Sequence, residues 1–353
     1  MRRLYFLLPG TTDRFACGGL WAELKTLELV KKVCPAEVVT YRQREKGHLW
    51  LDDLLSSQNK SKDLSKDLED VIFVMSWGFD VAKLAAKLKS FNAVYHAHSA
   101  GYGFNLPSSV PIITVSRNTL GYWGQRSPHS LLYYLPNEIS AKFCDFHALG
   151  DNLTNAWGDR DIDILVQARK SSSYLLNQLI PALQKQCRVE VIDRYVEDLE
   201  GLFNRAKIYL YDSAEYWAVQ GVTEGFGLQP MEALACGCQV FSSVNHGLSD
   251  YLDPAFNCYK IAGYSPEFDV QRIMKVLSSG QRLSLSPQVL DEYRAENITA
   301  RLVVILQELN DFFDLKPFVQ QHILDLGYRE ILKLRSQKLF AKLFTKLKKK
   351  LKF

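Results

Sequence analysis

Short apolar runs alternate with helical segments along most of the 353 residues, and the alternation restarts once. Leu4 to Leu8 reads as a buried strand, closed by a turn at Pro9-Gly10. Leu20 to Val33 follows as a helix, with Leu20, Leu24, Leu27 and Val30 at helical spacing. Ala36 to Thr40, Asp70 to Met75, Ala93 to Ala97, Ile112 to Val115 and Leu131 to Leu135 are further β-type runs, with a helix over Phe79 to Lys89. The polar stretch near 59–67 reads as a surface helix or loop. The pattern begins again at Ile162 to Val166. It continues with a helix at Leu175 to Leu183, a strand at Val189 to Ile192, a helix at Val196 to Ala206, and strands at Ile208 to Tyr211 and Gln239 to Ser242. Phe268 to Leu277 and Val289 to Phe313 close it as helices. This order implies an α/β chain of two doubly wound halves, mostly parallel, split near Gly150. Ligands of such sheets bind beyond the carboxyl ends of the strands. Gly18-Gly19, His96, His98 and Arg169-Lys170 fall at such ends, so a cleft between two domains is expected.

At 47% hydrophobic and 23% charged, the chain has the composition of a soluble globular protein. No apolar stretch is long enough to span a bilayer. The apolar run after Arg2-Arg3 stops at Pro9-Gly10 without a cleavage-site pattern, so a cytoplasmic location is expected. Seven scattered cysteines, an odd number, fit reduced thiols. Cys236-Gly237-Cys238 has no second ligand pair at metal spacing, and no metal or other cofactor is expected. The net charge of +4 is uneven. Ile331 to Phe353 holds nine Lys/Arg and no Asp/Glu, which leaves about −5 for the rest.

The densest chemistry lies in Thr223 to Gly237. Gly225 and Gly227 allow positive φ and close approach of a ligand. Pro230 suits the first turn of a helix, Met231, Leu234 and Ala235 give it a packed face, and Gly237 ends it. A helix start offers free N–H groups and the positive end of a dipole, which suits phosphate. Glu224 precedes that start and Glu232 lies in its early turns. Taken alone, the pair also fits a turn residue and a solvated helix residue.

The run Glu224-Gly-Phe-Gly-Leu-Gln-Pro-Met-Glu232-Ala-Leu-Ala-Cys-Gly resembles the E-x7-E signature of retaining glycosyltransferases of the GT-B fold that use nucleotide sugars. The neighbours agree: Val196 to Ala206 resembles the helix before that motif, and Ile162 to Lys170 the strand that opens the nucleotide domain. Val115-Ser116 and Pro136-Asn137 resemble interdomain elements, and Gly18-Gly19 the glycine turn of the acceptor domain. The resemblance is dense from Ile162 to about Leu252 and scattered before that. It implies two Rossmann-like domains facing a cleft. Residues 1–150 would form the acceptor domain and 151–315 the nucleotide-sugar domain, with 316–330 crossing back and 331–353 a basic tail.

The resemblance also implies roles. Glu232 would hold the ribose hydroxyls and Glu224 the donor sugar. Backbone around Phe226, Gly227 and Leu228 would face sugar or phosphate, Gly18 and Gly19 would let backbone approach phosphate, and Val196 would lie near the base. Arg169 and Lys170 would neutralise the leaving diphosphate. His98, or else His96, would reach the sugar from the first domain. The partners so implied are a nucleotide-diphosphate sugar and a glycan or lipid-linked acceptor, with cell-surface polysaccharide synthesis as the expected setting. The sequence departs from the family in placing Arg169 and Lys170 side by side, where relatives space the two cations by about five residues. Adjacent side chains at a strand end diverge, so Arg169 alone is expected to face the diphosphate. Asn245-His246-Gly247, expected near the phosphates, stands where relatives carry two glycines. A nucleotide-sugar epimerase and a binding module without turnover are the alternatives.

In the tail, Leu332, Leu339, Phe340, Leu343, Phe344, Leu347 and Leu351 alternate with Lys338, Lys342, Lys346 and Lys348 to Lys350. This reads as a basic amphipathic helix suited to an anionic membrane surface, which would place the enzyme on the inner face of the membrane. No nucleic-acid module accompanies it, and nucleic acid is not expected as a partner.

Overall fold

The computed structural model describes residues 1–57, 68–144, 157–280, 282–283, 287–320, 322–323 and 327–350. The expected surface segment at 59–67, the boundary near Gly150 and residues 351–353 lie outside the described residues.

Two sheets carry the fold. The first has strands β1 (Arg3–Leu8), β2 (Ala36–Thr40), β3 (Leu49–Trp50), β4 (Val71–Met75), β5 (Ala93–Ala97), β6 (Ile112–Thr114) and β7 (Leu132–Tyr134). Their order is β3-β2-β1-β4-β5-β6-β7, and every pairing is parallel. The second has β8 (Ile162–Gln167), β9 (Val189–Ile192), β10 (Ala206–Tyr211), β11 (Gln239–Ser242) and β12 (Cys258–Lys260), in the order β12-β11-β10-β8-β9, again all parallel. Strands buried on both faces need continuous apolar runs. β4 is Val-Ile-Phe-Val-Met with all five residues buried. The strand order reverses direction from β1 to β4 and from β8 to β10, the switch points at which sheets of this kind bind ligands.

Helices α1 (Gly18–Lys31), α2 (Leu51–Ser57), α3 (Val81–Lys87) and α4 (Arg117–Arg126) belong to the first sheet. A π-helical turn at Leu175–Leu179 runs into α5 (Ile180–Leu183), and α6 (Leu199–Arg205), α7 (Ala214–Gln220), α8 (Leu228–Ala235), α9 (Pro266–Ser279) and α10 (Pro287–Asp291) follow. The expected helix at Val196 to Ala206 starts later. Asp198 caps it by accepting from the Gly201 N–H, and the chain before the cap is irregular. The expected helix at Val289 to Phe313 is two, α10 and α11 (Ala295–Leu315).

Helix α11 carries the chain back to the first domain. Its Ile298, Leu302, Ile305, Leu306, Leu309 and Phe313 are buried with Leu20, Leu27 and Val30 of α1. Each such side chain gains about 1.5–3 kcal/mol from burial. The return therefore comes before residue 316, earlier than the expected 316–330. Beyond it, α12 (Tyr328–Lys350) is a single helix whose described side chains are almost all exposed.

Inside the second domain one buried cation organises the loops. Arg160 donates to the carbonyls of Phe203 (2.9 Å), Ala206 (2.6 Å) and Cys236 (2.6 Å). It ties the end of α6, the start of β10 and the end of α8 together, and so fixes the helix that carries Glu232. All seven cysteines are free thiols. Among the described residues no helix is long and apolar enough to cross a membrane.

Candidate active site

The cleft lies where the turn before α8 meets the end of β5. Gly227 takes φ of 80° at the N-cap of α8. Only glycine adopts that backbone without strain, and the Tyr251 hydroxyl donates to its carbonyl. Gly225 needs to be glycine for a different reason: its φ is not positive, but a Cβ there would stand 1.5 Å from the His98 carbonyl oxygen. Beside it the two domains are stitched by hydrogen bonds. Thr223 N–H donates to Ala100 O (3.0 Å), Ala100 N–H to Thr223 Oγ1 (2.9 Å), and the Ser99 hydroxyl to Thr223 O (2.6 Å).

Glu224 is 5% exposed. Its Oε2 accepts from the Tyr211 hydroxyl (2.5 Å) and the Trp217 indole N–H (2.6 Å). Burial and then Glu224 push the Tyr211 phenol well above its ordinary range, so it remains a donor. Lys170 takes a left-handed backbone, φ 68°, and sets its Nζ over the Trp217 ring at 4.5 Å from the centroid. Trp217 thus joins a cation on its face to a carboxylate at its N–H. Arg169 is exposed and makes no ion pair or hydrogen bond among the described residues. The two adjacent cations therefore diverge.

Glu232 is 7% exposed on the first turns of α8. Burial raises its pKa to about 7, against the opposing pull of Lys25 and Lys142. Phe226 is buried among Tyr251 and Tyr293, so only its backbone borders the cleft. Leu228 opens α8 and is half-buried, and Val196 is half-buried against the core of the second domain. The Asn245-His246-Gly247 loop binds the backbone of Glu224: Gly247 N–H donates to its carbonyl (3.0 Å), and its own N–H donates to His246 Nδ1 (3.4 Å).

From the first domain, Gly18 and Gly19 are the first residues of α1. No atom stands within 4 Å of a Cβ built on Gly18, and the nearest to one on Gly19 is the Cys17 sulfur at 3.9 Å. The space above this helix start is open. One turn further, Glu23 is 1% exposed, and its Oε2 meets His96 Nδ1 (2.5 Å) and His98 Nε2 (2.7 Å). Burial opposes the charge on Glu23, but the two imidazoles outweigh it and lower the pKa to about 2. Burial and His96 lower that of His98. The ligand atoms of the three lie within 4.8 Å of one another. Around a metal such as zinc, ligands stand about 3.3 Å apart; the contacts here are those of hydrogen bonds.

Glu23, Tyr211 and Trp217 escape a reading of the sequence by motif. Glu23 alone left a signal: it stands three residues after Leu20 and four before Leu27, on the apolar face of its helix.

Two parallel, doubly wound domains with a cleft at the carboxyl ends of both sheets define the GT-B fold. Solved structures agree. The sucrose-phosphate synthase of Thermosynechococcus elongatus superposes with a TM-score of 0.58 at 14% identity, over 88% of this chain and 100% of that one. HepE of Anabaena in complex with UDP and glucose gives 0.59 at 13%, over 87% and 100%. A glycosyltransferase of Rickettsia africae gives 0.56 at 10%, over 88% and 98%. At these identities the likeness is one of fold. Residues 165–293 match the family of glycosyl transferases group 1, and this match together with the GT-B fold makes the protein a glycosyltransferase. No curated protein matches the sequence significantly.

Proposed function

We propose that the protein transfers a sugar, with retention, from a nucleotide-diphosphate donor to a glycan or lipid-linked acceptor, in the assembly of a cell-surface polysaccharide. The observation that carries this reading is the fixed carboxylate of Glu224. It is held by Tyr211 and Trp217 beside Lys170, immediately before the helix that buries Glu232. A carboxylate so held is ready to accept from hydroxyls of a donor sugar. Glu232, one helical turn deeper, takes the ribose hydroxyls. The diphosphate lies between the starts of α1 and α8, whose free N–H groups favour anions. Arg169, unpaired in the cleft wall, and Lys170 take the charge that grows on the leaving group and do the work a divalent metal would do. The anomeric C–O bond to phosphate breaks, the acceptor oxygen bonds on the same face, and the acceptor proton passes to the leaving phosphate oxygen.

HepE binds UDP and glucose in its complex, which makes a uridine donor the first to try. The basic tail would dock the enzyme on an anionic membrane face, near a lipid-linked acceptor.

The test joins binding to turnover. UDP-, GDP- and ADP-sugars are compared by thermal shift, and the donor that raises Tm is used for transfer. Arg169→Ala and Glu224→Ala are expected to cut transfer by about 100-fold or more while folding persists. Near-normal transfer in both variants sinks the assignment.

A further inference from the structure

We infer that Glu23 is a positioning residue: its Oε2 fixes the His98 ring with Nε2–H turned into the protein, which leaves Nδ1 on the cleft side as an acceptor for a hydroxyl of the donor sugar. The inference rests on the sugar-transfer reading above. An ionised carboxylate only accepts hydrogen bonds. Both nitrogens that meet Glu23 Oε2, His96 Nδ1 at 2.5 Å and His98 Nε2 at 2.7 Å, must therefore carry hydrogen. For neutral His98 this leaves Nδ1 bare, with a lone pair to offer.

The surroundings separate the two histidines. His96 is 2% exposed, and its remaining nitrogen, Nε2, is buried without a partner. It ends in the core and has nothing to give to a substrate. The His98 ring keeps 14% exposure. Its Nδ1 is neither among the enclosed atoms nor hydrogen-bonded among the described residues. The backbone of His98 touches Gly225, next to Glu224, so an acceptor on this ring serves the same sugar pocket as Glu224. His96 has a role through Glu23. It takes up part of the capacity of Oε2 and packs against His98 with the two rings tilted, 4.4 Å between centroids.

The titratable groups that act on His98 are Glu23 from α1 and His96 from β5. The turn packed on it from the second domain brings the backbone of Gly225. Burial and His96 disfavour the imidazolium, and Glu23 favours it. Removing the negative charge of Glu23 therefore moves the His98 titration to still lower pH.

The experiment reads the tautomer directly. Long-range proton–nitrogen correlation spectra of the full-length protein, assigned by comparison with His98→Asn, report which ring nitrogen carries hydrogen. The wild type is expected to show His98 as the Nε2–H form with a depressed titration. Glu23→Gln is expected to show a mixture of tautomers and a further downward shift. A wild-type His98 in the Nδ1–H form overturns the inference, and that measurement needs neither a variant that folds well nor an active donor. Turnover is then measured with UDP-glucose as probe donor. Glu23→Gln should lower kcat/KM by about 10- to 100-fold, and the double variant with His98→Asn should be no worse than His98→Asn alone. Additive losses overturn the inference, since Glu23 would then act without His98. A wild type inactive with every donor sinks the transfer reading, and the tautomer spectra still decide the geometry of Glu23 and His98.

Discussion

Gly225 lies against the His98 carbonyl so closely that a Cβ would stand 1.5 Å from the oxygen. The contact joins the two domains at the point where the sugar would sit. Gly225→Ala must push the turn before α8 away from the end of β5 by more than an ångström. The expected cost is about 1–3 kcal/mol of stability, read as a lower midpoint in urea. Transfer should fall more than stability predicts, because Glu224 follows the same turn. An alanine variant with unchanged midpoint and turnover would show that the domains do not touch there in solution.

Glu232 is expected to make donor binding sensitive to pH. Its folded pKa is raised by burial to about 7, from an ordinary value of 4.5. Below 4.5 both states are protonated and the stabilising difference is fully present. Between 4.5 and 7 the folded protein holds more protons than the unfolded chain, so stability falls as pH rises, by about 3 kcal/mol in all. Glu232→Gln should flatten that slope in urea titrations between pH 4.5 and 7. In the proposed donor site ribose hydroxyls would donate to the carboxylate, so nucleotide binding would favour its ionised form. Calorimetry at pH 6.5 should show proton release on UDP binding in buffers of different ionisation enthalpy, and Glu232→Gln should abolish it.

How far the sequence spoke depends on the distance over which residues meet. The strands were legible because a strand buried on both faces must be a continuous apolar run, as in Val71–Met75. The Glu224–Glu232 stretch was legible because glycine, proline and carboxylates lie within one turn and one helix. Helix Ala214–Gln220 left no such trace, since none of its residues is buried and no apolar period exists to read. It nevertheless supplies Trp217, the link between Lys170 and Glu224. Glu23 meets His98 across 75 residues, and only its place on an apolar helix face marked it. The strand-end position of Arg169 and Lys170 announced their divergence, but not the ring that takes Lys170.

Trp217 allows its two functions to be separated. Trp217→Phe keeps an aromatic face for Lys170 and removes the N–H donated to Glu224 at 2.6 Å. Hydrogen bonds to charged groups contribute about 1.5–3 kcal/mol, and Tyr211 still holds the same oxygen. The expectation is a stability loss near the low end of that range, with a clear fall in kcat as Glu224 gains freedom. Trp217→Ala removes the ring as well and should add a rise in KM for the donor, because Lys170 loses its seat. Equal kinetics for the two variants would mean that the ring itself does nothing for Lys170.

The tail turns a row of apolar side chains to solvent. On α12, Leu339, Phe340, Leu343, Phe344 and Leu347 are between 51% and 70% exposed. Apolar side chains repeated at three and four residues on one helix, among lysines, gain little in water and much at a lipid interface. Each basic group adds about 1 kcal/mol near an anionic surface at moderate salt, and the attraction fades within a Debye length. The full chain is expected to co-sediment with phosphatidylglycerol-containing vesicles at low salt, less at high salt, and little with neutral phosphatidylcholine vesicles. A chain ending at residue 327 should stay in the supernatant with its transfer to a soluble acceptor intact, because α11 already packs on the first domain and the described side chains of α12 are almost all exposed. Equal sedimentation of the two chains would rule the tail out as the anchor. Loss of soluble transfer on truncation would mean that α12 supports the fold instead, a role its exposed side chains argue against.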